Sequence, residues 1–340
     1  MTKPLAKNSL YGAIGLAAFL VANFLIHSLL PPAVPKGIAA KLEFFAQHKD
    51  EFDTLIVGTS RVYYSIAPQL FDQTTRENGL PTRTFNFGID GMHPPENFYV
   101  LEQILKTKPQ KLKWVVLEMA EIQVKWDNVL GTQRVVYWHD WPRTELTLKK
   151  ALNPRGNANW LGTAARLWLA RRELILNLAL FGKQFASVGR ASDFSLAEQR
   201  ERFREADSEL GPNRDGYRPA GDAMSAERAA IFREKLAQEV SDARPKFLDP
   251  ATDQAYREAA SQICQAGAAP VFVVAPIITQ TVARFRRTPP APLLSFNDSR
   301  KYPQFYDTNV RIDDAHLTRE GAAEFTRLLA REFVHEMRQP

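Results

Sequence analysis

Cysteine is almost absent from this chain. Cys264 is the single one among 340 residues. One cysteine excludes an internal disulfide and every metal site that needs several thiolates. Its Ala-rich, helix-like surroundings are typical of an inert packing thiol. We therefore expect no metal and no other cofactor.

Signatures of nucleotide and nucleic-acid binding are also missing. The chain contains neither Gly-x-x-x-x-Gly-Lys-Ser/Thr nor Gly-x-Gly-x-x-Gly, which disfavours a nucleotide site at its Gly-rich turns. The net charge is +6, but the basic residues are scattered among acidic ones, without zinc-finger spacing or an aromatic RNA-binding motif. The sequence thus gives no reason to expect nucleic acid as a partner.

Formal charge is absent from residues 9–30, which are dominated by Leu, Ala, Ile, Val and Phe. About twenty such residues cross the hydrocarbon core of a bilayer as a helix, so we predict a transmembrane helix over residues 9–31. Lys3 and Lys7 precede it and would keep residues 1–8 in the cytoplasm. A cleaved signal peptide is the alternative. Either interpretation places the main domain outside the cytoplasm, in the periplasm.

Strand and helix patterns alternate beyond a spacer and first helix at residues 32–50. Short apolar runs, which predict strands buried on both faces, lie at residues 55–57, 114–117 and 270–275, and a further strand is predicted near residues 84–87. The alternation predicts an α/β fold with a three-layer, doubly wound parallel sheet. The pattern stops within residues 127–248, which we interpret as a mostly helical insertion between two half-domains at residues 51–126 and 249–340.

Three segments of the insertion have features of their own. The aromatic stretch at residues 138–142 is expected to be irregular. Residues 159–185 predict a partly buried helix. A helix that lies on a membrane surface or docks on a partner is the alternative. Residues 187–221 are rich in Arg, Glu, Asp and Gly, which is typical of a mobile, lid-like loop.

Ser60 is a candidate nucleophile. It follows the apolar run that ends at Gly58, and open α/β sheets bind their ligands at the carboxyl ends of strands. A glycine there permits a tight turn with exposed amide groups. In the alternative interpretation, Thr59 and Ser60 only cap a following helix, which we expect to reach about Phe71.

His316 is the candidate general base. Asp313 stands three residues before it, in a loop ahead of the last predicted helix. A carboxylate at that spacing can accept the Nδ1 proton, so that Nε2 faces a nucleophile. Asp314 is a second candidate for this orienting role. The alternative is a simple helix start capped by Thr318.

Together these motifs resemble the SGNH hydrolases and acyltransferases, also called GDSL enzymes. The resemblance rests on Gly58-Thr59-Ser60 after the first sheet strand, Asn86-Phe87-Gly88-Ile89-Asp90-Gly91 after the second, and residues 313–316 before the last helix. It implies a flavodoxin-like sheet, Ser60 as nucleophile, Asp313 and His316 as its partners, and an oxyanion hole formed by the amides of Ser60 and Gly91. Arg61, Tyr64 and His93 are near enough in sequence to these residues to line the pocket. For each of them, a place on a helix surface or in the packing is the alternative.

The chain departs from the family pattern at two places. Where the family's third block supplies an oxyanion-hole Asn, this sequence reads Glu118-Met119-Ala120-Glu121-Ile122, and Thr59 stands where Asp is usual. Such a body behind a membrane helix is more similar to the anchored branch of the family. That branch includes the D-alanyl transfer protein of teichoic-acid modification and the accessory proteins of alginate and cellulose O-acetylation. An α/β-hydrolase is disfavoured because Val62 replaces the second glycine of its nucleophile elbow.

The resemblance implies a serine-dependent acyl transfer outside the cytoplasm. The enzyme would be an O-acyltransferase or an esterase acting on a cell-envelope or exported polysaccharide through an acyl-Ser60 intermediate. Its expected partners are the membrane bilayer, the polysaccharide acceptor and a membrane-bound O-acyltransferase. The alternative is a non-catalytic scaffold for that acyltransferase.

Overall fold

A computed structural model describes residues 3–29, 34–122, 133–152, 163–185, 208–242, 246–279 and 283–339. The helices are α1 Lys3–Leu29, α2 Lys36–His48, α3 Ser60–Ser65, α4 Pro68–Glu77, α5 Glu96–Lys106, α6 Gln133–Tyr137, α7 Trp141–Leu152, α8 Thr163–Phe185, α9 Ala226–Asp242, α10 Pro250–Gln265 and α11 Arg319–Met337. The strands are β1 Thr54–Gly58, β2 Thr84–Gly88, β3 Trp114–Glu118, β4 Lys246–Phe247, β5 Ala269–Val274, β6 Ala283–Arg284 and β7 Leu293–Ser295.

Five of these strands form one parallel sheet in the order β2-β1-β3-β5-β7. The predicted α/β fold with a parallel sheet is confirmed, and the strand order is consistent with a flavodoxin-like fold. Gly58 pairs with Gly88, and Glu118 pairs with Val273, so the strand ends meet at one edge. The chain winds outward in opposite directions from β1 and β3, which makes the carboxyl ends of these two strands the switch point where such sheets bind ligands.

The core consists of two layers, one on each face of the sheet. Leu55 and Val57 pack into the layer that contains Phe85 and Phe87. Ile56, between them in the sequence, faces the other layer. Successive side chains of a strand point to opposite faces. Because both faces are covered, the middle of β1 and of β3 is apolar at every position, which explains the continuous runs at residues 55–57 and 114–117.

The helix after Ser60 is interrupted, so the prediction of one helix to about Phe71 is wrong. The helix α3 ends at Ser65 and α4 begins at Pro68, with extended backbone at Ile66 and Ala67. A proline disfavours helical backbone in the residue before it and lacks an amide hydrogen. Pro68 therefore starts the second helix and cannot continue the first.

The insertion is more ordered than the sequence suggests. The aromatic stretch at residues 138–142 was expected to be irregular, but α6 ends just before it and α7 begins inside it at Trp141. Helix α8 confirms the helix predicted at residues 159–185 within the described range. The lid-like interpretation is wrong for residues 208–218. Leu210 is buried, and the Asp215 carbonyl accepts from the Asn86 amide at 2.8 Å. Residues 186–207 lie outside the described residues.

Lys41 explains why this segment is fixed. Its fully buried ammonium donates to the carbonyls of Gly88, Gly216 and Asn86 and lies 4.0 Å from the Tyr63 ring centroid. The insertion is thereby attached to the carboxyl end of β2. This contact could not be predicted from the sequence, since a lysine on a helix is usually solvated.

Two further expectations differ from the structure. Cys264 is exposed on α10 and is not a packing thiol. Within the described residues, no helix has the length and apolar character that crossing a membrane requires. The transmembrane helix predicted over residues 9–31 is therefore unsupported, and residues 30–33 lie outside the described part.

Candidate active site

The three residues of the candidate site form one hydrogen-bonded chain. The Ser60 Oγ lies 2.7 Å from His316 Nε2. These residues are 256 positions apart in the sequence, and the fold brings them together at the carboxyl edge of the sheet. The capping interpretation holds only for Thr59, whose hydroxyl accepts from the Arg61 amide at 3.2 Å. Ser60 therefore begins α3 while its side chain contacts the imidazole.

Asp313, and not Asp314, orients the imidazole. Both oxygens of Asp313 lie 2.9 Å from His316 Nδ1, whereas Asp314 pairs with Lys235 at 2.7 Å. Asp313 also accepts from the amides of Ala315 and His316, each at 2.8 Å. Partial burial would by itself raise the pKa of Asp313, but the bonds from His316 and from these amides lower it to about 2. The carboxylate is thus ionised and holds Nε2 towards Ser60.

A buried arginine holds the loop that carries these two residues. Arg311 is 0% exposed and donates to four backbone carbonyls, which are those of Phe305 (2.8 Å), Asp314 (2.9 Å), Asp313 (3.1 Å) and Pro276 (3.3 Å). The rings of Phe232 and Tyr306 lie 5.0 and 5.4 Å from its guanidinium carbon. Burial lowers the pKa of Arg311 to about 10, so it is charged at neutral pH. This residue could not be recognised from the sequence, because a charged side chain in a loop is usually exposed.

A buried carboxylate holds the turn on the other side of the site. Glu118 is 1% exposed; its Oε2 accepts from the Thr59 amide at 2.6 Å, and its Oε1 accepts from Arg61 Nε at 2.5 Å. Gly58 is required here, since a Cβ at this position would lie 2.6 Å from Glu118 Oε2 and 2.3 Å from Val62 Cγ2. Glu118 stands at the end of β3 and fixes the turn before Ser60.

The second motif is joined directly to the nucleophile turn and its helix. The Ile89 amide donates to the Gly58 carbonyl at 3.0 Å. The buried Asn86 side chain donates to the carbonyls of Val62 and Ile66 and accepts from the Gly88 amide. Gly91 has a φ of +65°, a region that favours glycine. The loop that contains the predicted oxyanion-hole glycine thus borders the turn that carries Ser60.

The three expected pocket residues have different surroundings. The Tyr64 ring meets the His316 ring edge-on, with centroids 5.7 Å apart. Arg61 is engaged by Glu118. His93 lies at the turn into α5, where its carbonyl accepts from the Glu96 amide at 2.8 Å. The structure therefore brings Tyr64 to the imidazole and assigns Arg61 to the nucleophile turn.

The described residues contain no group of three or more His, Cys, Asp or Glu side chains that could hold a metal ion. When a hydroxyl, an imidazole and a carboxylate are hydrogen-bonded in series, the imidazole can take the hydroxyl proton while the hydroxyl oxygen attacks a carbonyl carbon.

No protein-family model matches the chain, and no curated protein is significantly similar to it.

Proposed function

We propose that the protein is a serine-dependent acyl-transfer enzyme of the SGNH type. The observation that carries this proposal is the continuous chain from Ser60 Oγ through His316 to the Asp313 carboxylate. A serine capping a helix needs no imidazole at 2.7 Å, and a histidine in a loop needs no carboxylate on its far nitrogen. Both contacts are what activation of a nucleophile requires.

In this mechanism His316 Nε2 takes the proton as Ser60 Oγ attacks the carbonyl carbon of an acyl donor. The amides of Ser60 and Gly91 stabilise the developing oxyanion. His316 then returns the proton to the leaving group, which leaves an acyl-Ser60 ester. A hydroxyl of a polysaccharide attacks this ester in the acyltransferase, and water attacks it in an esterase. Asp313 stays ionised throughout and stabilises the imidazolium.

The proposal places this reaction outside the cytoplasm, next to a membrane-bound O-acyltransferase. Support for attachment to a membrane comes from α1. Its large apolar side chains are exposed wherever they are described: Leu10, Tyr11, Ile14, Leu16, Phe19, Leu20, Val21 and Leu25. An exposed apolar surface of this extent calls for lipid or a protein partner. We propose that α1 attaches the domain to a bilayer.

Membrane fractionation tests the attachment. The full-length protein is expected in the membrane fraction, and a Leu16→Lys/Leu20→Lys variant is expected to shift to the soluble fraction because lysine opposes burial in lipid. A Glu77→Lys variant on the exposed end of α4 is the matched control. Equal distribution of all three proteins would contradict the attachment.

Labelling by a fluorophosphonate tests the chemistry, because this probe bonds covalently to an activated serine. The intact protein is expected to label, His316→Ala to label at least about 100-fold more slowly, and Ser60→Ala not to label. A thermal melt of each variant shows whether it is folded. Labelling of Ser60→Ala at the wild-type rate would refute the assignment of the nucleophile.

The scaffold alternative has one observation in its favour. Residues 118–122, where the resemblance expects a third oxyanion donor, contain no asparagine, and losing such a donor costs roughly 100- to 1000-fold in turnover. A folded wild-type protein that does not label would favour a non-catalytic scaffold for the acyltransferase. In cells, acyl transfer that persists with Ser60→Ala at a normal protein level would favour it too.

A further inference from the structure

The loop after β2 contains a tight turn whose third residue is the glycine of the proposed oxyanion hole. The Met92 amide donates to the Ile89 carbonyl at 3.1 Å, so Asp90 and Gly91 are the two central residues of the turn. Gly91 has a φ of +65°, whereas Asp90 is not among the described non-glycine residues with a positive φ. A positive φ at the second central residue alone defines a type II turn.

The peptide between Asp90 and Gly91 decides where the oxyanion donor points. Type I and type II turns differ by a flip of this central peptide. Because the peptide is planar and trans, the Asp90 carbonyl and the Gly91 amide hydrogen point in opposite directions. A contact that fixes the carbonyl therefore fixes the amide hydrogen too. Within the described part of the chain, this amide donates to no protein acceptor, so a ligand can receive its hydrogen.

An arginine of the insertion holds the carbonyl. Arg134, on α6, donates from Nη1 to the Asp90 carbonyl at 2.7 Å. Its Nε donates at 2.8 Å to the buried carboxylate of Glu96, the first residue of α5. The donors of a guanidinium form a planar, rigid fork. The contact with the carboxylate therefore sets the direction of the contact with the carbonyl.

The short helix α6 is itself fixed against α5. Val135 is 1% exposed, and Tyr137 is buried with its ring edge-on to the ring of Tyr99, at a centroid distance of 4.7 Å. Removing Arg134 from Glu96 would leave a buried carboxylate without its cation, which is costly. Arg134 therefore approaches the turn from a fixed position.

The same turn also contacts residues beside the triad. Burial raises the pKa of Tyr64, and the charge of the Asp90 carboxylate raises it further. The ring of Tyr64 in turn meets the ring of His316 edge-on. The Ile89 amide, at the first position of the turn, donates to the Gly58 carbonyl. The turn thus connects Arg134 of the insertion with the surroundings of Ser60.

We propose that Arg134 is a positioning residue for the oxyanion hole, because it holds the Asp90 carbonyl and so directs the Gly91 amide hydrogen. Glycine alone does not select this orientation, since it adopts positive and negative φ about equally well. A cation on the carbonyl oxygen also polarises the peptide and makes its N–H a stronger donor. This role rests on the proposed function, and it gives the insertion a part in catalysis.

Turnover of p-nitrophenyl acetate by the full-length protein tests the role. The oxyanion develops only in the transition state, so Arg134→Met is expected to lower kcat about 10-fold and to leave KM within about 2-fold of the wild type. Arg134→Lys keeps one cationic donor and is expected to recover part of the loss. A wild-type kcat in a folded Arg134→Met protein would overturn the proposal.

Arg143→Met is the matched control. Arg143 is also an arginine of the insertion, and from α7 it donates to the Glu102 carboxylate and the Phe98 carbonyl of α5. It therefore ties the insertion to α5 as Arg134 does, but without a described contact to the turn of Gly91. We expect this variant to lose stability in urea unfolding and to keep its kcat. An equal fall in kcat for both variants would mean that Arg134 only anchors the insertion.

A double-mutant cycle with Gly91→Ala tests whether Arg134 acts through this peptide. A Cβ at Gly91 would meet only Arg134 Nη1, at 3.6 Å, so alanine strains the positive φ without a clash. We expect this variant to lose about 10-fold in kcat. Because both substitutions release the same peptide, the double variant should also lose about 10-fold. Losses that multiply to about 100-fold would contradict the shared route.

Crystal structures of the wild type and of Arg134→Met separate this role from the proposed function. The Asp90–Gly91 peptide is expected to flip in at least part of the variant molecules. If the wild type does not label with fluorophosphonate and the flip occurs, the catalysis is refuted and the control of the peptide by Arg134 stands. A peptide that keeps its orientation in every variant molecule overturns the inference.

Discussion

The two halves of the site are held by buried charges of opposite sign. On the nucleophile side, the Glu118 carboxylate accepts from the Thr59 amide. On the histidine side, the Arg311 guanidinium donates to the carbonyls of the loop that carries Asp313. Neither charge touches the Ser60 hydroxyl or the imidazole in any described contact. Each instead fixes the backbone next to one of them.

The signs follow from the backbone groups that each region leaves unpaired. A strand that turns into a helix presents N–H groups at the helix start, which an anion satisfies. An irregular loop presents carbonyls, which a cation with five N–H donors satisfies. Unpaired buried backbone groups are costly. A buried charge can therefore serve the site by completing backbone hydrogen bonds, and substitutions of the residues involved should disturb the site in proportion to the bonds lost.

Arg311→Met should have the largest effect. It removes the donor from four buried carbonyls, so we expect the free energy of unfolding to fall by about 3–5 kcal/mol. Fluorophosphonate labelling should fall with it, because the loop no longer fixes His316. Urea unfolding measures the first effect. Arg331→Met, on an exposed position of α11, is the control and should change stability by less than about 0.5 kcal/mol. A loss below about 1 kcal/mol for Arg311→Met would contradict its role.

Gly58→Ala should be next in size. The new methyl would lie 2.3 Å from Val62 Cγ2 and 2.7 Å from Glu118 Cβ, so the turn or the end of β3 must shift. We expect a loss of about 2 kcal/mol in urea unfolding. Gly182→Ala is the matched control, since a Cβ there meets nothing within 4 Å and the position is helical. That change should be neutral or stabilising by up to about 1 kcal/mol. Equal effects of the two substitutions would show that Gly58 is not constrained.

Substitutions in the ion pair between Arg61 and Glu118 distinguish the effect of charge on stability from the effect of hydrogen bonding. Arg61→Met leaves a carboxylate that is 1% exposed without its cation, so we expect a loss of about 1–2 kcal/mol and slower labelling. Glu118→Gln keeps an oxygen for the Thr59 amide and should cost less. The double variant should recover part of the loss caused by Arg61→Met, because no unpaired charge remains.

The readout is a double-mutant cycle on both stability and labelling rate. A coupling near zero in both would contradict the ion pair as a unit that positions the turn. Coupling in stability alone would mean that the ion pair stabilises the fold but does not affect the reactivity of Ser60. Coupling in the labelling rate, at equal thermal stability, would place it in support of Ser60.

The sequence predicted the sheet and the triad because both depend on local patterns. A strand buried on two faces must be apolar throughout, and a glycine must end it where Glu118 and Val62 approach Gly58. The spacing from Asp313 to His316 is short enough to fix their contact within one loop. The parallel sheet and the contact between Asp313 and His316 could therefore be inferred from local patterns, and the meeting of Ser60 with His316 from the placement of their two motifs beside one sheet.

The supporting charges could not be inferred in this way. Arg311, Glu118 and Lys41 are buried by partners that are far away in the sequence, and nothing adjacent to them signals it. Lys41 lies 175 residues from Gly216, to which it donates. The order of residues 208–218 depends on that contact, which is why their polar composition suggested a lid. Hydrogen bonds from a side chain to backbone groups far away in the sequence leave no local sequence pattern that could predict them.

The smallest effect should be a change in the pH dependence of stability at the histidine loop. The pKa of Asp313 is lowered from 3.8 to about 2 by its hydrogen bonds, so its carboxylate stabilises the folded state above pH 4. As the pH falls towards 2, the unfolded chain takes up the proton first and this stabilisation is lost. With the side chain 43% exposed, solvent screening reduces the contribution to about 1 kcal/mol. Asp313→Asn should therefore be less stable than the wild type at pH 5–7 and equal to it near pH 2 in urea unfolding, whereas Asp314→Asn should track the wild type throughout. A stability difference between Asp313→Asn and the wild type that stays constant down to pH 2 would mean that the carboxylate charge does not stabilise the loop. The loop would then be held by Arg311 without a contribution from this charge.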